Sequence, residues 1–254
     1  MMRVTQIFIL LILLIFGSAN AAEKIKHPGQ DVSGSIKLNY MSKIELPPGL
    51  WKVAAIKKTM GGGKWVDVSL IQEVENKIKA WLTISYPTNT NGNGWYKGDN
   101  NVCDDHDRQQ SNYHEKKIKT NAGYIDSGHC SLVWVSNWLD ESTWDYWDIA
   151  ELTHDYIREN NFSYPSALVI LESAWYSKEN YISIAYAYNP EFSMITTSPY
   201  KDFDKSQWFK HNIDSHPDKK SFVDKAISIQ KKTIISSYKA FGKRKPIDLT
   251  LYDF

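Results

Sequence analysis

From Trp51 to Pro87 the chain alternates apolar and polar side chains with a period of two. Trp51, Val53 and Ala55 open the pattern, and Gly61-Gly62-Gly63 offers the positive-φ freedom that a chain reversal uses. Val66, Val68 and Leu70 then share one face while Trp65, Asp67 and Ser69 share the other. After a turn at Asn76, the run Ile78, Ala80, Leu82, Ile84 opposes Lys79, Trp81, Thr83, Ser85 until Pro87 stops it. Residues 50–86 therefore read as a three-stranded antiparallel meander with one buried side.

Further along, Leu132, Trp134 and Trp138 alternate with Val133 and Val135 in another strand. Ser142-Thr143, followed by Asp145, Asp148 and Glu151 and closed by Arg158, gives a helix over 143–160 an N-cap and charges that suit its dipole. Its expected buried stripe is Ile149, Leu152 and Tyr156 with Trp147 beside them. A strand pair follows over 167–177 and 181–189, with Ile182, Ile184, Tyr186 and Tyr188 on one face. In the longest helix, 219–242, Val223, Ile227, Gln230, Ile234, Tyr238 and Phe241 recur at helical steps up to Gly242. The segments Ser69–Pro87 and Val169–Pro190 echo one another weakly, in features that hairpins share generally. Hairpins separated by helices, without strict strand-helix alternation, predict an α+β fold: an antiparallel sheet covered by two helices, in one domain over 36–254.

The N-terminus changes the picture of where this domain works. Arg3 precedes ten consecutive apolar residues, Ile7 to Phe16, and then Gly17-Ser18-Ala19-Asn20-Ala21 places small residues before a cut. Residues 1–21 thus read as a secretory signal peptide cleaved after Ala21, since the apolar run is too short to span a bilayer. Residues 22–35 show no hydrophobic period and are expected to form a mobile arm. Of the 30 basic and 29 acidic residues, only Arg3 leaves with the signal, so the exported chain has no net charge. Nonspecific nucleic-acid binding and a polybasic membrane anchor both need a basic surplus, and neither is expected. In an exported chain the two cysteines, Cys103 and Cys130, are expected to form a structural disulfide, and their spacing is not that of a C-x-x-C redox motif.

Complete catalytic motifs are missing. Gly61-Gly62-Gly63-Lys64 lacks the upstream glycine and the following hydroxyl residue of a phosphate loop, and Gly92-Asn93-Gly94 lacks the third glycine of a dinucleotide site. His114-Glu115 has Ile118 where a metalloprotease helix has its second histidine. There is no G-x-S-x-G serine motif. No cofactor is expected.

What remains is the stretch 87–130, read as one long irregular excursion tied by the disulfide and rich in acidic, amide and histidine residues. Around Cys103 it gathers Asp99, Asn101, Asp104, Asp105 and His106, but Asp104 and Gln110 stand where an EF-hand has glycine and glutamate. A zinc site from His106, His114, His129 and an aspartate is the metal alternative to a solvated acidic loop. On the first helix, Asp145, Asp148 and Glu151 share spacing with His154, which reads more simply as dipole partners and a partly buried histidine. Among 34 aromatic residues, Trp95 and Tyr96 in this excursion, and Trp208 and Phe209 in the 190–217 connection, lie outside any periodic element and are candidate contact surfaces. These observations lead to an exported, periplasmic or secreted, soluble protein that binds a protein partner or a cell-envelope glycan without catalysis. Trp95, Tyr96, Asp104, Asp105 and His106 are its expected contact residues. The rival is an exported hydrolase, with or without a metal, built on 99–130.

Overall fold

The computed structural model describes residues 22–38, 43–60, 64–88, 112–122, 125–136, 148–176, 181–197, 205–241 and 245–254. Four short strands come first: β1 (Glu23–Lys24), β2 (Asp31–Val32), β3 (Ser35–Lys37) and β4 (Lys43–Glu45). The expected meander follows as β5 (Trp51–Met60), β6 (Lys64–Val74) and β7 (Lys77–Pro87), then the hairpin β8 (Asn112–Ala122) and β9 (Ile125–Ser136). Helix α1 (Asp148–Glu159) leads to the second expected hairpin, β10 (Leu168–Tyr176) and β11 (Tyr181–Tyr188), and helix α2 (Pro217–Phe241) to a final short strand, β12 (Ile247–Asp248).

The long strands and β2 make one antiparallel sheet of order β2-β5-β6-β7-β11-β10-β9-β8, so the meander and the β10–β11 hairpin meet at its centre through β7 and β11. β1, β3, β4 and β12 form a small second sheet. This is the α+β architecture expected from the pattern.

One face of the large sheet carries the main core. Val68 and Leu70 of β6, Leu82 and Ile84 of β7, and Ile184 and Tyr186 of β11 pack with Ile36 and Ile44 of the small sheet and with Phe222, Val223, Ala226 and Ile234 of α2. Each such large side chain removed from water contributes about 1.5–3 kcal/mol, which is why α2 keeps a strict apolar stripe. Gln230 interrupts that stripe without being wasted. Its Nε2 donates to the Glu172 carbonyl at 2.7 Å and to Ser173 Oγ at 2.8 Å, while Tyr252 donates its hydroxyl to Oε1 at 2.6 Å. No helix among the described residues is long and apolar enough to cross a membrane.

Four expectations change. Residues 22–35 are not a free arm: the Gly29 amide donates to the Val53 carbonyl, the Val53 amide to Gln30, and Val32 is buried beside Trp51. Backbone pairing holds this segment, and it leaves no hydrophobic period in so short a run. Likewise 112–122 and 125–130 are strands, not irregular chain. β8 is an edge strand, and its run His114-Glu115-Lys116-Lys117-Ile118-Lys119 earns strand structure from the ladder to β9, with charges that blunt an edge. On α1 the buried face is Ile149, Thr153, His154 and Ile157, with Leu152 exposed, because steps of four from Ile149 follow the sheet contact. Trp208 and Phe209 are core residues, Trp208 meeting the Phe222 ring edge-on at 6.4 Å. The helix start at 142–147 and Gly242 lie outside the described residues.

Candidate functional site

The second face of the large sheet is divided. At one end α1 lies over an apolar patch of Ala54, Ile71, Ile78, Trp81, Leu168, Ile170 and Ala187. Beside that patch, strand register assembles two rows of small and polar side chains. Asp67, Ser85, Ser183 and Ala174 stand side by side across β6, β7, β11 and β10, continuing to Cys130 on β9. Two residues along each strand, Ser69, Thr83, Ala185 and Glu172 form the second row, continuing to Leu132. Period-two alternation puts all of them opposite the main core.

Large side chains border this floor of short ones. Trp65 and Tyr181 meet edge to face at 5.3 Å beyond the first row. On the other side Trp134, paired in register with Ile170, donates its Nε1 hydrogen to Glu172 Oε2 at 3.2 Å. Ser85 Oγ donates to Asp67 Oδ1 at 2.5 Å. Asp67, Thr83 and Ala185 are half-buried, whereas Ser69, Ser85, Ser183 and Glu172 are buried. Ser69 Oγ has no hydrogen-bond partner among the described residues, although burying a hydroxyl without one is unfavourable. Burial pushes Tyr181 up to about 12, with a hydrogen bond from Ser183 opposing and the Glu172 charge adding. On the opposite face, in the main core, burial likewise raises Tyr86 to about 12, aided by Asp67. Both phenols stay neutral donors at physiological pH.

The chemistry open to this surface is hydrogen bonding and ring stacking. Three strand spacings and one two-residue step separate Asp67 from Glu172, about 16 Å between backbones, well beyond the 5–9.5 Å between the two carboxylates of a glycosidase.

A second cluster lies under α1. His154 is buried between Trp81, whose ring it meets edge-on at 5.5 Å, and Tyr164, whose hydroxyl lies 2.9 Å from Nδ1. Burial, reinforced by the Arg158 charge and opposed by Asp155, lowers its pKa to about 4. It is a neutral packing residue, as its place on the helix suggested, and Glu151 is exposed.

Trp95, Tyr96, Cys103, Asp104, Asp105 and His106 lie outside the described residues. Cys130 is buried on the floor's face and is not a free thiol. In register, His114 pairs with Val133 and His129 with Ile118. Among the described residues no group of histidine, cysteine or carboxylate side chains could hold a metal ion.

The floor itself was not anticipated. Its β6 and β7 half read as the solvent side of a one-sided sheet. Glu172, a lone charge inside the apolar run Leu168–Trp175, was the available signal. No protein-family model matches the chain, and no curated protein matches it. A solved structure of a possible transcriptional regulator, YydK from Bacillus subtilis subsp. subtilis str. 168, aligns over 78% of this chain and 83% of its own at 10% identity. The TM-score is 0.26, too low to carry a fold or a function across.

Proposed function

We propose that this protein is exported, with cleavage after Ala21 and a Cys103–Cys130 disulfide, and that it works by binding a cell-envelope glycan without catalysis. The observation that carries the reading is the floor: short hydroxyl-bearing side chains and two carboxylates laid out in rows, bordered by the Trp65–Tyr181 pair. A sugar ring offers many hydroxyl donors and acceptors around an apolar face. Ser, Thr and carboxylate oxygens suit the first and indole or phenol rings the second. Few polar groups at fixed positions in a partly desolvated surface give orientation as well as affinity.

The test is titration of the purified exported protein with envelope glycan fragments, followed by tryptophan fluorescence and calorimetry. Trp65→Ala is expected to weaken capture about tenfold or more while the melting temperature stays close to wild type. Unchanged affinity in Trp65→Ala, or no binding by the wild type, would overturn the reading. Intact mass of the exported species checks the rest: it should begin at Ala22 and contain no alkylatable thiol. A retained N-terminus or two free thiols would refute export processing or the cross-link.

A further inference from the structure

We infer that Asn161 is an acceptor for an N-linked glycan, attached as the exported chain emerges from the membrane. The inference rests on the export reading and adds a modification site to it. Asn161-Phe162-Ser163 is the one N-x-S/T triplet in the sequence, and its middle residue is not the proline that would block it. In the fold the triplet forms the turn that ends α1. The Asn161 amide donates to the Arg158 carbonyl at 3.1 Å and the Phe162 amide to the Ile157 carbonyl at 3.1 Å, with Asn161 in the left-handed region at a φ of 56°, the pairing of a helix C-cap. Phe162 is half-buried against Tyr156, with 6.5 Å between ring centroids, while Asn161 and Ser163 are exposed.

Capping by itself explains an asparagine at 161, which tolerates that backbone better than most residues, but it asks nothing of Ser163 or of the Asn161 side-chain amide. Of the two adjacent asparagines, Asn160 is committed inward, its Nδ2 donating to the Tyr156 carbonyl at 2.8 Å. The Asn161 side chain makes no hydrogen bond among the described residues. Ser163 Oγ donates at 3.2 Å to the Asn76 carbonyl, which already accepts the Ser163 amide at 2.7 Å, so the fold demands little of this hydroxyl. A hydroxyl two residues after the asparagine is what a glycan transferase requires. The donor is an oligosaccharide carried on a polyprenyl diphosphate. Asn161 Nδ2 bonds to the anomeric carbon of the first sugar and gives up one proton to a base of the transferase. The bond from that carbon to the diphosphate oxygen breaks, and its electron pair leaves with the diphosphate. A glycan on this exposed turn extends into water and displaces no internal bond, so the folded protein accommodates it.

The experiment uses the full protein purified from its own host, with intact mass and tandem mass spectrometry of the tryptic peptide Glu159–Lys178, which Arg158 and Lys178 release. The wild type is expected to begin at Ala22 and to carry sugar mass on Asn161. Asn161→Gln and Ser163→Ala should both lose that mass, and Ser163→Thr should keep it, because either hydroxyl residue meets the acceptor requirement. Ser163→Ala leaves the capping asparagine in place, so it decides the matter if Asn161→Gln disturbs folding. Melting temperatures of wild type and Ser163→Ala should agree closely, which separates an acceptor role from a structural one. A protein that begins at Ala22 with a bare Asn161, or a Ser163→Ala protein still modified there, would overturn the acceptor site and leave export standing. A chain that retains residues 1–21 and carries no glycan would refute export, and the acceptor site with it.

Discussion

At His154 a single neutral imidazole couples stability to acidity. The unfolded side chain takes a proton near pH 6.5, while the folded one, enclosed by Trp81 and Tyr164, resists until about pH 4. Between those values the unfolded state binds more protons, so stability falls as pH drops through the window and this group adds no further loss below it. The shift corresponds to about 3 kcal/mol at most. Urea titrations from pH 7.5 to 4 should show the loss in wild type and a flatter profile in His154→Asn; parallel profiles would mean that His154 is not the group responsible. Gly49 is the second residue with a sharp demand. Its φ of +111° belongs to glycine, and an added Cβ would collide with the Gln72 amide that donates to the Pro48 carbonyl at 2.7 Å. Gly49→Ala is expected to cost about 1–3 kcal/mol from backbone strain and the displaced bond, read as a lowered urea midpoint.

The elements divide by how they are held. Helix α2 is held by its stripe, so Ile234, 1% exposed, and Lys231, on the solvent side one turn away, give opposite outcomes under one substitution. Ile234→Asp should cost several kcal/mol and stop accumulation of the protein, since it buries a charge without a partner, whereas Lys231→Asp should be mild. Matching melting temperatures would put the wrong face against the sheet. Both helices, the β5–β7 meander and the β10–β11 hairpin announced themselves because their faces meet different solvents. The strands β1 to β3 and β8 did not, because what fixes them is backbone pairing to a neighbour, and hydrogen bonds between main chains leave no period in side-chain type.

Across the whole molecule the C-terminal segment closes the core. β12 pairs with β4, the Leu249 amide donates to the Glu45 carbonyl, and Phe254 stacks on Tyr188 at 4.8 Å and on Phe222 at 5.1 Å. Tyr252 completes the buried Gln230 amide, whose nitrogen serves the sheet. Tyr252→Phe should therefore cost about 1–3 kcal/mol, the penalty of a buried carbonyl left without its donor, and ending the chain after Thr250 should cost more by opening a cavity among the rings. Urea unfolding of both variants checks the order; a truncation as stable as wild type would mean that the tail is not part of the core.

Side-chain order along the chain was enough to determine the α+β class, the two long hairpins with their core faces, and the helix that carries Val223, Gln230 and Ile234. Period two and period 3.6 are local properties, and burial on one side imprints them directly. The candidate site was a different matter. Asp67 and Ser69 in one alternating run, Thr83 and Ser85 in another, and Glu172 and Ser183 in a hairpin a hundred residues later give no sign of each other. Only the pairing of β7 with β11 brings them into two rows. That pairing is a contact between distant segments, set by how the whole sheet closes over α2 and the small sheet on its other face, and no period in side-chain type along one strand records it.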